Sequence, residues 1–430
     1  MSSPNTAIRN IFKRLLANHA LDTIRLQAEA GAPALPEGGI NTHIHLPPNF
    51  CAFDNVAQAA QQAVDQKIRV AGISNYYDFG VYSEFARLTA PAGIFPLFGV
   101  EIIALIQGLV EAGIKVNDPG NPGKIYVCGK GITRFETFSA EAGRLMSGIR
   151  SSDSLRAEAI VARLAAIFEQ HGLRTGLTPQ VIKDRVVTRH GCPPASVHLQ
   201  ERHIAMAFQE AVFALVPPDR RAEILGRVFG AASKAAPDGA VKVQDEIRTY
   251  LMKAGKPAYV EETFPTFESA RRLILELGGI PCYPVLADGA TPICGYETPV
   301  DDLVASIRAA GLHAAEFIPL RNSPETLSAY VLAMRKAGII VTAGTEHNTL
   351  DRVPLAPTCR GGVPIPADVQ AIFREGACVV AAHQFLAWHN LAGYVDANGI
   401  LHPGYRDAES RIAAFRKLGA AVIAFWSHNA

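Results

Sequence analysis

Hydrophobic and polar positions alternate along this chain in two rhythms. Short apolar runs at 40–45, 68–74 and 95–103 read as strands, and the stretches between them, 54–66 and 80–89, carry apolar residues at helical spacing. A further apolar strand, Lys124–Cys128, follows a turn rich in Pro, Gly and Asn at 117–123. After residue 134 the rhythm changes. Residues 135–256 are rich in Ala, Leu, Arg and Glu, with helical period over 154–170, 198–215 and 221–232. The first pattern then returns, with helices expected at 267–277, 299–310 and 323–337 and strands at 279–285, 314–319 and 338–345. Strands separated by helices of this length predict βαβ units and a parallel sheet.

The ends of the chain follow other patterns. Ile8, Ile11, Phe12, Leu15 and Leu16 predict one helix over 8–28, packed on the main domain, and Pro33, Pro36, Gly38 and Gly39 form a breaker after it. A proline- and glycine-rich loop at 355–366 leads into helices at 367–393 and 407–420 and an apolar strand or helix at 421–426. The expected organisation is therefore an N-terminal helix and linker (1–37), a barrel in two parts (38–134 and 257–355), a helical insertion between them (135–256), and a loop with a helical C-terminal extension (356–430). The fold class is α/β, one barrel carrying an insertion and an extension.

Composition narrows the function classes. At 430 residues the chain can bury a large core. Its 41 basic and 40 acidic residues create no global field for nucleic acid or an anionic membrane. The insertion alone carries 18 Lys and Arg against 13 Asp and Glu between 134 and 256, an excess read as a solvated helical face. Seven scattered cysteines without a CxxC pair fit reduced thiols, hence a cytoplasmic protein. The N-terminus lacks an apolar signal core, and no run of eighteen apolar residues predicts a membrane span.

Candidate chemistry gathers at strand ends. His43 and His45, two apart in a strand, present both imidazoles to one face. Glu101 ends the apolar run Leu97-Phe98-Gly99-Val100, and Glu346 and His347 follow Val341-Thr342-Ala343-Gly344-Thr345. The C-terminal ends of strands are where α/β barrels build active sites. Arg321 and Asn322, after the strand at 314–319, and Arg360, in the loop beyond Glu346, are candidates for holding an anionic substrate. His383 and His389 sit in an apolar helical stretch and read as packing residues.

The blocks N-T-H-I-H, A-G-I-S-N-Y, F-G-V-E-I, G-G-I-P-C-Y-P and V-T-A-G-T-E-H-N, in this order, resemble the PHP family, the polymerase and histidinol phosphatase superfamily. They cover most of 38–133 and 265–349. The resemblance implies a distorted (β/α)7 barrel, a metal cluster at its C-terminal face and phosphoester hydrolysis. It implies His43, His45, Glu101 and Glu346 as the ligands of one divalent ion, Zn, Mn or Fe, with a weaker second ion at most. Tyr126 and Tyr283 stand where the family has second-site histidines. Tyr76 and His347 align with third-site positions, and Asn75 stands where an Asp is common. Tyr76, Tyr126, Tyr283 and His347 are accordingly the expected catalytic contacts, because a phenol is protonated at neutral pH and can donate a proton. The leading expectation is a metal-dependent hydrolase acting on a small anionic metabolite, with a homo-oligomer allowed. Its alternatives are an amidohydrolase-like isomerase or lyase acting on a sugar acid, and a degenerate, non-catalytic binding barrel.

Overall fold

The computed structural model describes residues 6–31 and 37–429; Pro33 and Pro36, read as a breaker, lie outside them. Seven strands lie side by side in chain order: β1 (Gly39–Ile44), β2 (Ile68–Ile73), β3 (Phe95–Leu105), β4 (Lys124–Lys130), β5 (Ile280–Val285), β6 (Ala314–Phe317) and β7 (Ile340–Ala343). The chain beyond β7 folds back on β1 and closes the barrel. The amides of Thr345 and Glu346 donate to the His43 carbonyl at 3.0 and 2.9 Å, and the His45 amide donates to the Glu346 carbonyl at 2.8 Å. The barrel is the expected α/β fold.

One strand departs from the expected parallel arrangement. β4 runs antiparallel to both β3 and β5, whereas β1–β2–β3 and β5–β6–β7 are parallel. The segment between β3 and β4 holds only a five-residue helix and a polar turn, pinned on itself by an antiparallel bridge between Lys115 and Pro122. It returns as a hairpin because nothing in it is long enough to cross the sheet face as a helix.

Helices surround the barrel: α1 (Thr6–Ile11), α2 (Asn18–Glu29), α3 (Val56–Asp65), α4 (Tyr82–Thr89) and the short α5 (Gln107–Glu111). The expected helix over 8–28 is thus two, each burying its own residues, Ile8 in the first and Ala20, Ile24 and Ala28 in the second. The middle of the chain forms α6 (Ala140–Gln170), α7 (Pro179–His190), α8 (Glu201–Leu215), α9 (Pro218–Phe229) and α10 (Ala240–Ile247). Helix α7, absent from the sequence reading, opens on a Thr178 cap and Pro179 and stops at left-handed Gly191. The barrel resumes with α11 (Phe267–Glu276), α12 (Val300–Ala309) and α13 (Pro324–Lys336), and ends in α14 (Ala367–Trp388) and α15 (Ala408–Asn429). The apolar stretch 421–426 continues α15 as helix. A Cβ at Gly419 would lie 1.8 Å from the Cys378 carbonyl oxygen, so α14 and α15 meet backbone to backbone there.

Two hydrophobic cores divide the molecule. The first fills the barrel and its surrounding helices, and includes Ala142, Met146 and Ile149 from the start of α6. The second lies wholly within residues 157–260, from Ala157 to Ala258 with Val260 packed against it. No helix among the described residues is long and apolar enough to cross a membrane.

Candidate metal centre

Three buried side chains converge at the end of β1. His43 and His45 project from β1 and its continuation, and Glu101 from β3; none is more than 3 % exposed. Glu101 Oε2 lies 3.1 Å from His45 Nε2 and 3.7 Å from His43 Nε2, and the two imidazole centroids are 5.1 Å apart. Neither Nε2 nor Oε2 completes a hydrogen bond with good geometry. One buried polar atom left without a partner costs about 1–3 kcal/mol, and three facing one point are what a cation would satisfy. Two imidazoles and a carboxylate are the donor set that suits Zn²⁺, Mn²⁺ or Fe²⁺ and leaves coordination positions free. The residues fit the ion.

The strand carrying the histidines is seated tightly. A Cβ at Gly72 of β2 would approach the Thr42 carbonyl oxygen to 2.3 Å, and one at Gly344 would approach His43 Cβ to 2.3 Å. Only glycine allows both neighbours to come this close to β1.

Beneath the centre lies a polar network that the sequence reading missed. Glu316, on β6, accepts at 2.6 Å from His43 Nδ1. Lys130 Nζ, on β4, sits 2.5 Å from the same carboxylate, and the hydroxyls of Thr42 and Thr342 reach it at 2.9 and 3.3 Å. Lys130 and Glu316 are both fully enclosed. Burial opposes ionisation of Glu316, but Lys130 and His43 outweigh it and hold the carboxyl down to about 2. A lysine and a glutamate on buried strand positions are the available signal, visible only once β4 and β6 are known to face the same interior.

The expected site residues separate into two groups. Tyr76 stacks on His45, with centroids 5.0 Å apart and planes 10° apart, and burial together with Glu101 raises its phenol above the ordinary range. Tyr126 shares one face of β4 with Cys128 and Lys130, so it points inward above them. Arg321 lies against Glu346: Nη1 is 3.0 Å from Oε1, and Nη2 contacts Oε2. Its side chain keeps 41 % of its surface accessible.

Five residues occupy other places. The Glu346 carboxylate, expected as a ligand, is taken by Arg321 and by Asn348 Nδ2 at 2.6 Å, outside the cluster of His43, His45 and Glu101. His347 has both nitrogens occupied, Nδ1 by the Thr345 hydroxyl at 2.8 Å and Nε2 by the Val353 carbonyl at 2.9 Å, and it stacks on Phe53. Both contacts hold the loop that follows β7. Tyr283 points away from the barrel interior because its neighbour Cys282 points in, and its hydroxyl donates to Glu297 at 2.9 Å. Asn322 is fully buried and donates to the Leu286 carbonyl and Asp288, both at 2.9 Å. Arg360 binds Asp288 and the Arg321 carbonyl, so it braces the turn that presents Arg321. His383 is a packing residue: its nitrogens meet the Gly278 carbonyl and the Tyr394 amide, each at 3.0 Å.

Asparagines pin the loops around the mouth. Asn75 accepts from the Leu46 amide at 2.8 Å and donates to the Leu46 carbonyl at 3.0 Å. A carboxylate cannot donate, which explains why an amide stands where an Asp was anticipated. Asn49 accepts from the Tyr76 amide at 2.7 Å, and Asn117 clasps both backbone groups of Tyr126.

The helical insertion rests on the loops that follow β1 and β2. Gln200 accepts from the Phe50 amide at 2.7 Å, His190 Nδ1 meets the Asp54 carbonyl at 2.7 Å, and Arg150 donates to the Tyr77 carbonyl. Arg202, at the start of α8, lies over the Phe50 ring at 5.8 Å, and burial lowers its pKa. The insertion thereby covers part of the barrel mouth.

No protein family description matches this chain, and no curated protein matches it. Solved structures that resemble it include the following two. One, from Bifidobacterium adolescentis and described as a candidate metal-dependent phosphoesterase, superposes with a TM-score of 0.52 at 15% identity, covering 78% of this chain and 95% of the other. The second is an amidohydrolase from Chromobacterium violaceum with bound sulfate and no metal, with a TM-score of 0.48 at 18% identity over 78% and 96% of the two chains. The first likeness is one of fold, a barrel with helical additions.

Proposed function

We propose that this chain is a metal-dependent hydrolase of the phosphoesterase kind, as its resemblance to the PHP family implies, acting on a small anionic substrate. The observation that carries the reading is the convergence of three buried, unpartnered atoms, His43 Nε2, His45 Nε2 and Glu101 Oε2. A divalent ion held there would supply an acidified water and polarise the substrate's electrophilic oxygen. His43 and His45 would hold it through Nε2, and Glu101 would contribute a carboxylate oxygen. Tyr76, stacked on His45 and protonated at neutral pH, is placed to give its phenolic proton to a leaving oxygen. Tyr126 faces the same interior from β4. Arg321, with 41 % of its side chain accessible, offers the unused edge of its guanidinium to a phosphate. The insertion limits the access of bulk water to the mouth. Seven buried free thiols support a reducing compartment.

The test is elemental analysis of metal-loaded protein together with turnover on a phosphoester panel, for the wild type and His43→Ala. One Zn, Mn or Fe per chain and phosphate release, both lost in the variant, are expected; full turnover by the metal-free variant would refute the reading. The occupation of Glu346 by Arg321 favours a second reading, an anion-binding barrel without turnover. In that case anion binding would persist while every substrate in the panel stayed intact.

A further inference from the structure

We infer that Glu316 and Lys130 are positioning residues for this centre, a buried carboxylate and ammonium that fix which nitrogen of His43 is free to bind a cation. The inference rests on the metal reading above and concerns residues that touch neither substrate nor ion. The Lys130 ammonium can only donate, and it lies 2.5 Å from the Glu316 carboxylate. The hydroxyls of Thr42 and Thr342 add further donors at 2.9 and 3.3 Å. A carboxylate ringed by donors is an acceptor, so its 2.6 Å contact with His43 Nδ1 is an N–H···O hydrogen bond. The proton on Nδ1 leaves the lone pair on Nε2, the atom that faces Glu101. Carboxylate–histidine pairs of this kind orient the ring and raise the basicity of the ligating nitrogen.

Lys130 completes the arrangement. Glu316 alone would be an uncompensated charge inside the barrel, where no solvent reaches it. Lys130 also approaches the Thr42 carbonyl at 3.3 Å and Ser74 Oγ at 3.4 Å, which ties β4 to β1 and β2 directly below the two histidines. Cys128 and Glu316 offer, with His43, a second group of donor atoms within 4.8 Å of one another. The ammonium beside Glu316 already supplies positive charge to that group. His45, by contrast, has no partner at Nδ1, so the network distinguishes the two histidines.

The experiment uses full-length protein stripped with chelator and titrated with Zn²⁺ against a chromophoric competitor. The variants are Glu316→Gln, Lys130→Met and the double variant, which carries no buried net charge and so keeps a folded sample available. Side-chain ¹⁵N spectra of His43 in the metal-free wild type report the tautomer directly. The expected results are an Nδ1–H tautomer in the wild type, a loss of Zn²⁺ affinity of about 10–100-fold in Glu316→Gln, and the same loss in the double variant. A purely structural ion pair would change stability without moving the tautomer. Wild-type protein that binds Zn²⁺ while the variants bind it within twofold would overturn this inference alone, as would an Nε2–H tautomer. Wild-type protein that binds no Zn²⁺ would overturn the metal reading, and this inference with it.

Discussion

Arg321 spreads its guanidinium across the Glu346 carboxylate, with Nη1 3.0 Å from Oε1, at the place where a metal ligand was anticipated. Both residues follow strand ends, Arg321 after β6 and Glu346 after β7, so the parallel pairing of these two neighbouring strands brings them together. A guanidinium here supplies fixed positive charge where the resemblance implies that Glu346 completes the ligand set. Replacing Arg321 with Met should release Glu346. Equilibrium dialysis against Mn²⁺ should then show an affinity about tenfold higher, the effect of one added carboxylate at roughly 1.4 kcal/mol. Inorganic phosphate should bind more weakly in the same variant. Unchanged Mn²⁺ and phosphate affinities would mean that the pair serves only the loop.

Cation binding should also register as stability. A ligand that binds only the native state adds RT ln(1 + [L]/Kd), about 2.7 kcal/mol at one hundred times Kd. Added Zn²⁺ should therefore raise the Tm of the chelator-treated protein. His45→Ala and Glu101→Gln should abolish the rise, because each removes one of three converging donors. A Tm that climbs equally in these variants would place the ion elsewhere.

Glu297 sets a pH dependence unrelated to the metal centre. Burial lifts its carboxyl from 4.5 to about 7, although the amides of Leu286 and Ala287 and the Tyr283 hydroxyl pull it back. Between those values the folded chain holds a proton that the unfolded chain has released. Stability should thus fall as pH rises from 4.5 to 7, by up to about 3 kcal/mol from this group. Glu316 acts in another window: its carboxyl is held at about 2, so its contribution is lost only as pH drops below 4.5. Urea midpoints at pH 5 and pH 8 should differ less in Glu297→Gln than in the wild type.

The boundary of the insertion is testable by deletion. Removing 135–256 takes Ala142, Met146 and Ile149 out of the barrel core, and this variant should fail to fold. Removing 157–258 takes only residues of the second core. Arg156 Nε donates to the Val260 carbonyl at 3.1 Å, so a short glycine–serine linker can join the cut ends. That shorter deletion should give a folded barrel with an uncovered mouth, seen as an unchanged near-ultraviolet signature of the barrel aromatics. Collapse of both variants would show that the insertion supports the barrel.

Much of the architecture was legible because periodicity reports burial. The strand runs 68–74 and 95–103 and the helices between them lie where their apolar spacing placed them. His43, His45 and Glu101 were legible because two-residue spacing and strand-end position are sequence properties. The reversed β4 was not, since strand direction depends on how 106–123 folds back, and no apolar pattern encodes it. Tyr283 was misplaced by one position in the inside–outside alternation, which Cys282 decides in three dimensions. Glu316 and Lys130 escaped notice because they lie 186 residues apart and neither carries a motif. Their meaning comes from facing each other across a closed sheet.

Helix α6 gives the molecule a mechanical property of its own. Its 31 residues make a rod about 46 Å long. One end is embedded among the barrel residues and the other carries the second core, with the polar run Ser151-Ser152-Asp153-Ser154 between them. The beam is continuous between the two cores, and its Arg150 donates to the Tyr77 carbonyl, one residue from the tyrosine that stacks on His45. The covering helices and that tyrosine are thereby tied to a single rigid element.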